Sequence, residues 1–321
     1  MRTMLSKVTL GFVCLATAGW TASGAPLKRA DVAADPAWVV HLDCDGLRPT
    51  TIGQHIQTEM NKPDAQDKLA AFESMFGFDL RTQLHGLTLY GTGSNPHDGV
   101  LLVYADFDPD RLVTLANAAK DAQNSSYKQH VIYNWVDEKR KAKDGVQPRV
   151  YAAIAGKRVV FGQREDRVAR ALDVLDGAAS NLAAAKAFPQ LGAPGDTSFA
   201  EAAARKIEVA DGDPHAAILR LSRQIRLQLA ETKGQVVATL TLEANDSEVA
   251  SNISSIAQGL VSLMKLQKEK PEAMKVAEAL TLKQDGSAVI VSLVLPAQDA
   301  VGVIQAHVHA AHKAAKEAEK D

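Results

Sequence analysis

The acids, histidines and cysteines of this sequence are the groups able to carry chemistry, and their spacing limits what they can do. Asp106, Asp108 and Asp110 alternate as in a calcium loop, but the positions an EF-hand reserves for Gly and Glu hold Arg111 and Asn117. The same run reads as a strand end followed by an N-cap Asp, a first-turn Pro and an acid facing the helix dipole. His309 and His312 project about 60° apart on a helix and His307 points about 140° from His312, which falls short of a structural zinc ligand set. If 37–43 is a strand, His41 and Cys44 lie about 10 Å apart on opposite sides of it, beyond the reach of a Cys–His dyad. Cys44 then reads as a small buried side chain. Arg220, Arg223 and Arg226 recur every third residue without interleaved aromatics, so they lack a stacking platform for nucleic acid and read as solvated edge charges.

Local catalytic signatures are missing as well. The sequence has no Gly-x-Ser-x-Gly elbow, no phosphate-binding Gly-x-x-x-x-Gly-Lys-Ser/Thr loop, no Gly-x-Gly-x-x-Gly and no His-Glu-x-x-His. Aromatic residues make up only 5%, which disfavours a cleft that stacks sugars. No catalytic residue, no cofactor-binding residue and no metal ligand is therefore assigned, and no cofactor is expected.

The composition is that of a globular chain: 321 residues, 36 Lys+Arg against 38 Asp+Glu, and 46% apolar. That balance excludes a strongly basic nucleic-acid binder, a disordered chain and, with 2 Cys, a disulfide scaffold. Residues 1–24 differ from the rest: basic Arg2 and Lys7, an apolar run from Val8 to Trp20, then small residues up to Gly24. This pattern is a secretory signal peptide, too short in its apolar run to span a bilayer, with cleavage expected after Gly24. Val13 before Cys14 argues against lipidation. Cleavage removes two bases and no acid and leaves Cys44 as the one thiol, so the mature chain must hold together by core packing. Later apolar segments are too short to cross a membrane as helices, and the expected location is the periplasm or the exterior.

The elements follow from periodicity. Trp38, Val40 and Leu42 mark a strand; helices follow over 51–60 and, after Pro63, up to Gly77. Leu87 and Leu89 open a hairpin whose partner, Val100–Ala105, is apolar on both faces and therefore central. Asp108-Pro109 starts a helix, strands follow at 131–135, 150–154 and 159–161, and a helix stops at Gly177. In the second half, Ile225–Leu229 and Val236–Leu242 alternate around Lys233-Gly234 as a hairpin. Asn245 and Glu248 form an approximate capping box for a helix bearing Val249, Ile253, Ile256, Leu260 and Leu263. Pro271 opens a short helix to about Val276, a hairpin turns at Gln284-Asp285-Gly286, and a last helix begins near Pro296.

These elements define an α+β fold of two similar lobes, each a mainly antiparallel sheet with helices on one face in ββα repeats. The N-terminal lobe is expected over 25–180, a linker rich in Ala, Gly and Pro over 181–196, and the C-terminal lobe over 197–321. Gly99–Ala119 and Gly234–Leu260 both read as Gly, apolar strand, polar cap and amphipathic helix, the mark of an internal duplication.

Leu87–Tyr90, Gly99–Phe107 with its Asp-Pro-Asp, Val150–Gly162 and the helix ending Ala171–Gly177 resemble a family of uncharacterised secreted α+β proteins of Gram-negative bacteria. Val236–Glu243 with the following helix is similar to that family too. The resemblance implies export and supplies no activity or site. The expected function is non-catalytic binding or interaction in the cell envelope, through the free sheet face carrying Arg226, Gln228, Thr239 and Thr241 or through the cleft between lobes. The partner is an unknown protein or envelope component, not nucleic acid. The alternative is a hydrolase or small-ligand-binding protein whose inter-lobe cleft gathers several of His41, Asp43, His85 and Asp106.

Overall fold

The computed structural model describes residues 25–93, 95–140, 142, 147–193, 195–205, 221–266 and 271–306. The expected signal peptide, Arg220 and the terminal histidines His307, His309 and His312 lie outside them.

The first half lays down β1 (Trp38–Asp43), then α1 (Cys44–Leu47), α2 (Thr51–Met60) and α3 (Pro63–Phe76), then β2 (Leu84–Gly91) and β3 (Gly99–Ala105). After α4 (Pro109–Ala118), the strands β4 (Gln123–Tyr127), β5 (His130–Val136), β6 (Arg149–Ala155) and β7 (Arg158–Gly162) fold back until β7 pairs with β3, and α5 (Glu165–Leu175) follows. The second half lays down β8 (Ala200–Arg205), β9 (Ser222–Thr232) and β10 (Gln235–Ala244). It continues with α6 (Ser247–Lys265), α7 (Pro271–Ala279), β11 (Leu280–Asp285) and β12 (Ala288–Pro296), which returns beside β10. A final helix, α8, covers 297–306. All of this is α+β, built on one antiparallel 12-stranded sheet ordered β11-β12-β10-β9-β8-β1-β2-β3-β7-β6-β5-β4.

Local chemistry accounts for most boundaries. Pro63 sits in the first turn of α3, and Gly77, at φ 79°, ends it in the left-handed region. The alternating acids close on their own helix: Asp108 accepts from the N–H groups of Asp110 and Arg111 at the start of α4. The cap of α6 is Asp246, which accepts from the Val249 N–H at 2.8 Å, one residue later than the expected Asn245. Lys233 and Gly234, at φ 52° and 73°, make the tight β9–β10 turn that needs both central residues left-handed.

Helices are not confined to one face. Paired residues in an antiparallel sheet share a face, so Leu102, Val160, Ala153 and Ile132 form one row, against which α5 packs Val168 and Leu172. Leu101, Phe161, Ala152 and Tyr133 form a row on the opposite face, under α3 and α4. Strands apolar on both faces require cover on both sides. In the second half α6 covers Leu242 and Val289, while Ile52 of α2 and Val301 of α8 cover Val236. There the opposite face is polar, with half-exposed Arg226, Gln228, Thr239 and Thr241.

The segment expected as a linker is packed. Leu182, Phe188 and Leu191 are fully buried in the first half's core. Its small residues read as a spacer, but these large apolar side chains anchor it. β8 joins the halves directly by pairing with β1.

Candidate functional site

A cavity of about 260 Å³ lies between α3, α4 and the sheet. Its floor is Tyr133 and Trp135 of β5, Ala152 and Ile154 of β6, and Val159 and Phe161 of β7; Leu112, Leu115 and Ala116 of α4 and Ala119 just past its end form its roof, with Phe76 and Met75 of α3. No ionisable side chain apart from the Tyr133 phenol lines it. It is half open to solvent, a groove under the two helices rather than a sealed interior void.

The roof explains the space. No residue of α3 or α4 is fully buried, so both helices rest on the sheet by partial contact. They are fixed to each other instead. Arg111 donates to the carbonyls of Met75, at 3.1 Å, and Ser74. Phe72 stacks on Phe76 at 4.4 Å and meets Phe78 edge-on at 5.3 Å. Met75, which lines the pocket, is 52% exposed. Beyond the cavity, the Tyr133–Leu101 row continues across the same face through Leu89, Val40, Ala202 and Leu227. Leu89, Val40 and Leu227 remain 38%, 46% and 38% exposed.

Where the halves meet, a polar cleft of about 520 Å³ is lined by Asp43, Asp45 and Thr50 from the first half and by Asp196, Ser198 and Glu231 from the second. Asp45 pairs with Arg48 and His85, and the other three acids hold backbone. Asp43 accepts from the Gly46 N–H at 2.7 Å, Asp196 from the Ser198 N–H at 2.8 Å, and Glu231 from the Thr51 N–H at 2.9 Å and hydroxyl at 2.6 Å. Behind the cleft, Glu201 is 5% exposed and shares Gln228 with Asp196. Burial, then the neighbouring Asp196, pushes the Glu201 carboxyl up to about 7. Burial alone would raise Asp196, but hydrogen bonds from Glu201, Ser198 and Gln228 together outweigh it and hold the carboxyl below its usual range.

This pair has a consequence for stability. Between about 4.5 and about 7 the native state keeps a proton on Glu201 that the unfolded chain releases, so stability falls as pH rises through that window. At ~1.4 kcal/mol per unit the loss is on the order of 2–3 kcal/mol. Glu201→Gln, which keeps a donor towards Asp196, is expected to flatten the urea-unfolding stability between pH 5 and 7; an unchanged slope would exclude Glu201 as its source.

The residues singled out in the sequence fall in separate places. His41, 2% exposed, binds the Thr88 hydroxyl and the Ala25 carbonyl, each at 2.9 Å, and burial lowers its pKa, keeping the ring neutral. His85 lies between Asp45 at 3.0 Å and Asp106 at 2.9 Å in a half-exposed network with Lys157. Burial lowers its pKa, but the two carboxylates win and hold it above the usual range. The cleft thus takes in Asp43 but not His41, His85 or Asp106. Cys44 begins α1 and is half-buried rather than buried; burial pushes its thiol up to about 11, leaving little thiolate at neutral pH. Arg226 lies on β9, and Arg223 pairs with Glu243 at 3.3 Å. Among the described residues no group of three or more His, Cys, Asp and Glu is placed to hold a metal ion, and no helix is long and apolar enough to cross a membrane. The cavity residues were not singled out; the signal was β3, β6 and β7 being apolar on both faces, next to two amphipathic helices.

No protein-family model and no curated protein matches the chain. Among solved structures it is similar to the Treponema protein TP0453. Crystal form III of TP0453 has TM-score 0.48 and 10% identity over 89% of this chain and 99% of that one. Form I has TM-score 0.45 and 10% identity over 88% and 98%.

Proposed function

We propose that this is an exported, non-catalytic binding protein that takes one small amphiphile, a medium-chain fatty acid, with its alkyl chain in the cavity under α3 and α4. The single observation that carries this reading is the half-open, almost wholly apolar pocket of about 260 Å³. An apolar groove suits an apolar ligand, and at about 30 Å³ per water-sized group the space suits roughly nine methylenes. It lies just below the roughly 300–1,000 Å³ of drug-sized sites, too small for a multi-ring cofactor. Arg111, which does not line the pocket but binds the main-chain carbonyl of the lining residue Met75, is the cation we assign to a carboxylate head.

Export is read from residues 1–24 and from the resemblance to secreted Gram-negative proteins. A duplicated origin is supported by what the halves share despite the three helices inserted between β1 and β2: three strands paired in chain order, a helix after the third, and a later strand that returns to pair with the third. Gly99–Ala119 and Gly234–Leu260 fall on β3–α4 and β10–α6, at equivalent places in that order.

Displacement of a fluorescent apolar probe tests the binding reading. Decanoate is expected to compete with Kd of about 10 μM, from roughly 0.6 kcal/mol per non-hydrogen atom, and better than decanol. Absence of probe binding, or displacement by sugars and amino acids equally, would remove it.

A further inference from the structure

We infer that processing after Gly24 builds a structural ion pair: the new α-ammonium of Ala25 becomes the counter-ion of Asp43. This rests on the export reading, and the test below separates the two.

Three observations carry it. First, β1 holds Ala25 by both backbone groups. His41 and Asp43 point to the same face two residues apart; the ring Nε2–H donates to the Ala25 carbonyl at 2.9 Å, and the carboxylate accepts from the Ala25 nitrogen at 2.8 Å. Second, the Asp43 carboxylate is 5% exposed, and among the described residues its hydrogen bonds come from the backbone N–H groups of Ala25 and Gly46, with no Lys or Arg side chain paired to it. A buried carboxylate is costly unless a cation answers it. Third, the residue that touches it is the one that follows the expected cleavage point. Pro26 lines the cleft and Leu27, 6% exposed, enters the core, so the chain at Ala25 is anchored on its far side.

The chemistry is peptide hydrolysis by a signal peptidase. One water adds across the Gly24–Ala25 bond, leaving a carboxylate on Gly24 and an amine on Ala25 that takes up a proton at neutral pH. The nitrogen that donated one amide hydrogen then carries three hydrogens and a positive charge in the same position. The mature N-terminus thereby fixes the junction of β1, α1 and the cleft between the halves.

The ion pair is tested without export, on protein released from a fusion directly before residue 25, compared with protein retaining Ser23-Gly24. The thermal midpoint is expected to fall by roughly 3 °C or more when the two residues are retained. Asp43→Asn, which keeps a good helix cap, should lower the midpoint of the Ala25 form by a similar amount and change the extended form little. Equal midpoints for the two forms, or an equal cost of Asp43→Asn in both, would overturn the ion pair. The processing point is read separately, by intact mass of protein from the envelope fraction of its host: a chain starting at Ala25 is expected, and any other start overturns the assignment while leaving the in vitro result standing.

Discussion

Replacing Arg29 with alanine is expected to destabilise the protein by about 3–5 kcal/mol, the effect of removing several charge-assisted hydrogen bonds to buried acceptors. Its guanidinium donates to the carbonyls of Phe188 at 2.6 Å, Leu191 at 2.7 Å, Leu182 at 2.9 Å and Ala187 at 3.1 Å. Phe188 is 1% exposed and has φ 46°, a left-handed backbone that costs an aromatic residue ~1–3 kcal/mol unless its surroundings hold it. Arg29 is therefore what lets an irregular segment pack as core. Arg29→Lys should recover little, because an ammonium lacks the planar fork that spans four carbonyls. Urea unfolding gives the stabilities, and limited proteolysis should show early cleavage within 182–191 in the alanine variant. Stability of Arg29→Lys equal to that of the unsubstituted protein would contradict this role.

Filling the cavity is expected to cost ligand affinity and nothing else. Ala116 lines the cavity from α4 and is half-buried, so Ala116→Phe places a ring in the space an alkyl chain would take. A loss of at least tenfold in probe and decanoate affinity, ~1.4 kcal/mol or more, should accompany an unchanged or raised thermal midpoint, because filling an apolar void adds contacts. Val40→Ser and Leu227→Ser, on the exposed row outside the cavity, serve as controls and should bind normally. If those two lose affinity and Ala116→Phe does not, the ligand lies on the open sheet face instead.

The sequence announces what depends on neighbouring residues and hides what depends on distant ones. Lys233-Gly234, Pro63, Gly77 and Asp108-Pro109 each set a boundary by local backbone chemistry, and the strands and helices around them follow. β8 was silent because Ala200–Arg205 reads Ala-Glu-Ala-Ala-Ala-Arg, a helix-like composition whose strand pairing comes from β1 and β9. β4 was silent because Gln-Asn-Ser-Ser-Tyr has no apolar face and pairs only at the sheet edge. Residues 181–196 misled for a different reason. Their anchor, Arg29, binds main-chain carbonyls more than 150 residues away in sequence, and carbonyls leave no side-chain signature. The polar site is half legible: His41 and Asp43 stand among the candidate cleft residues, but their shared partner is the backbone of Ala25, not His85, Asp106 or Cys44.

The most direct test of the binding account is where a bound alkyl chain sits. With decanoate added to the isotopically labelled mature protein, intermolecular NOEs are predicted from the ligand methylenes to the Trp135 indole and to the Leu112 and Ile154 methyl groups. NOEs confined to Val40, Leu89 and Leu227, or none at saturating decanoate, would contradict it.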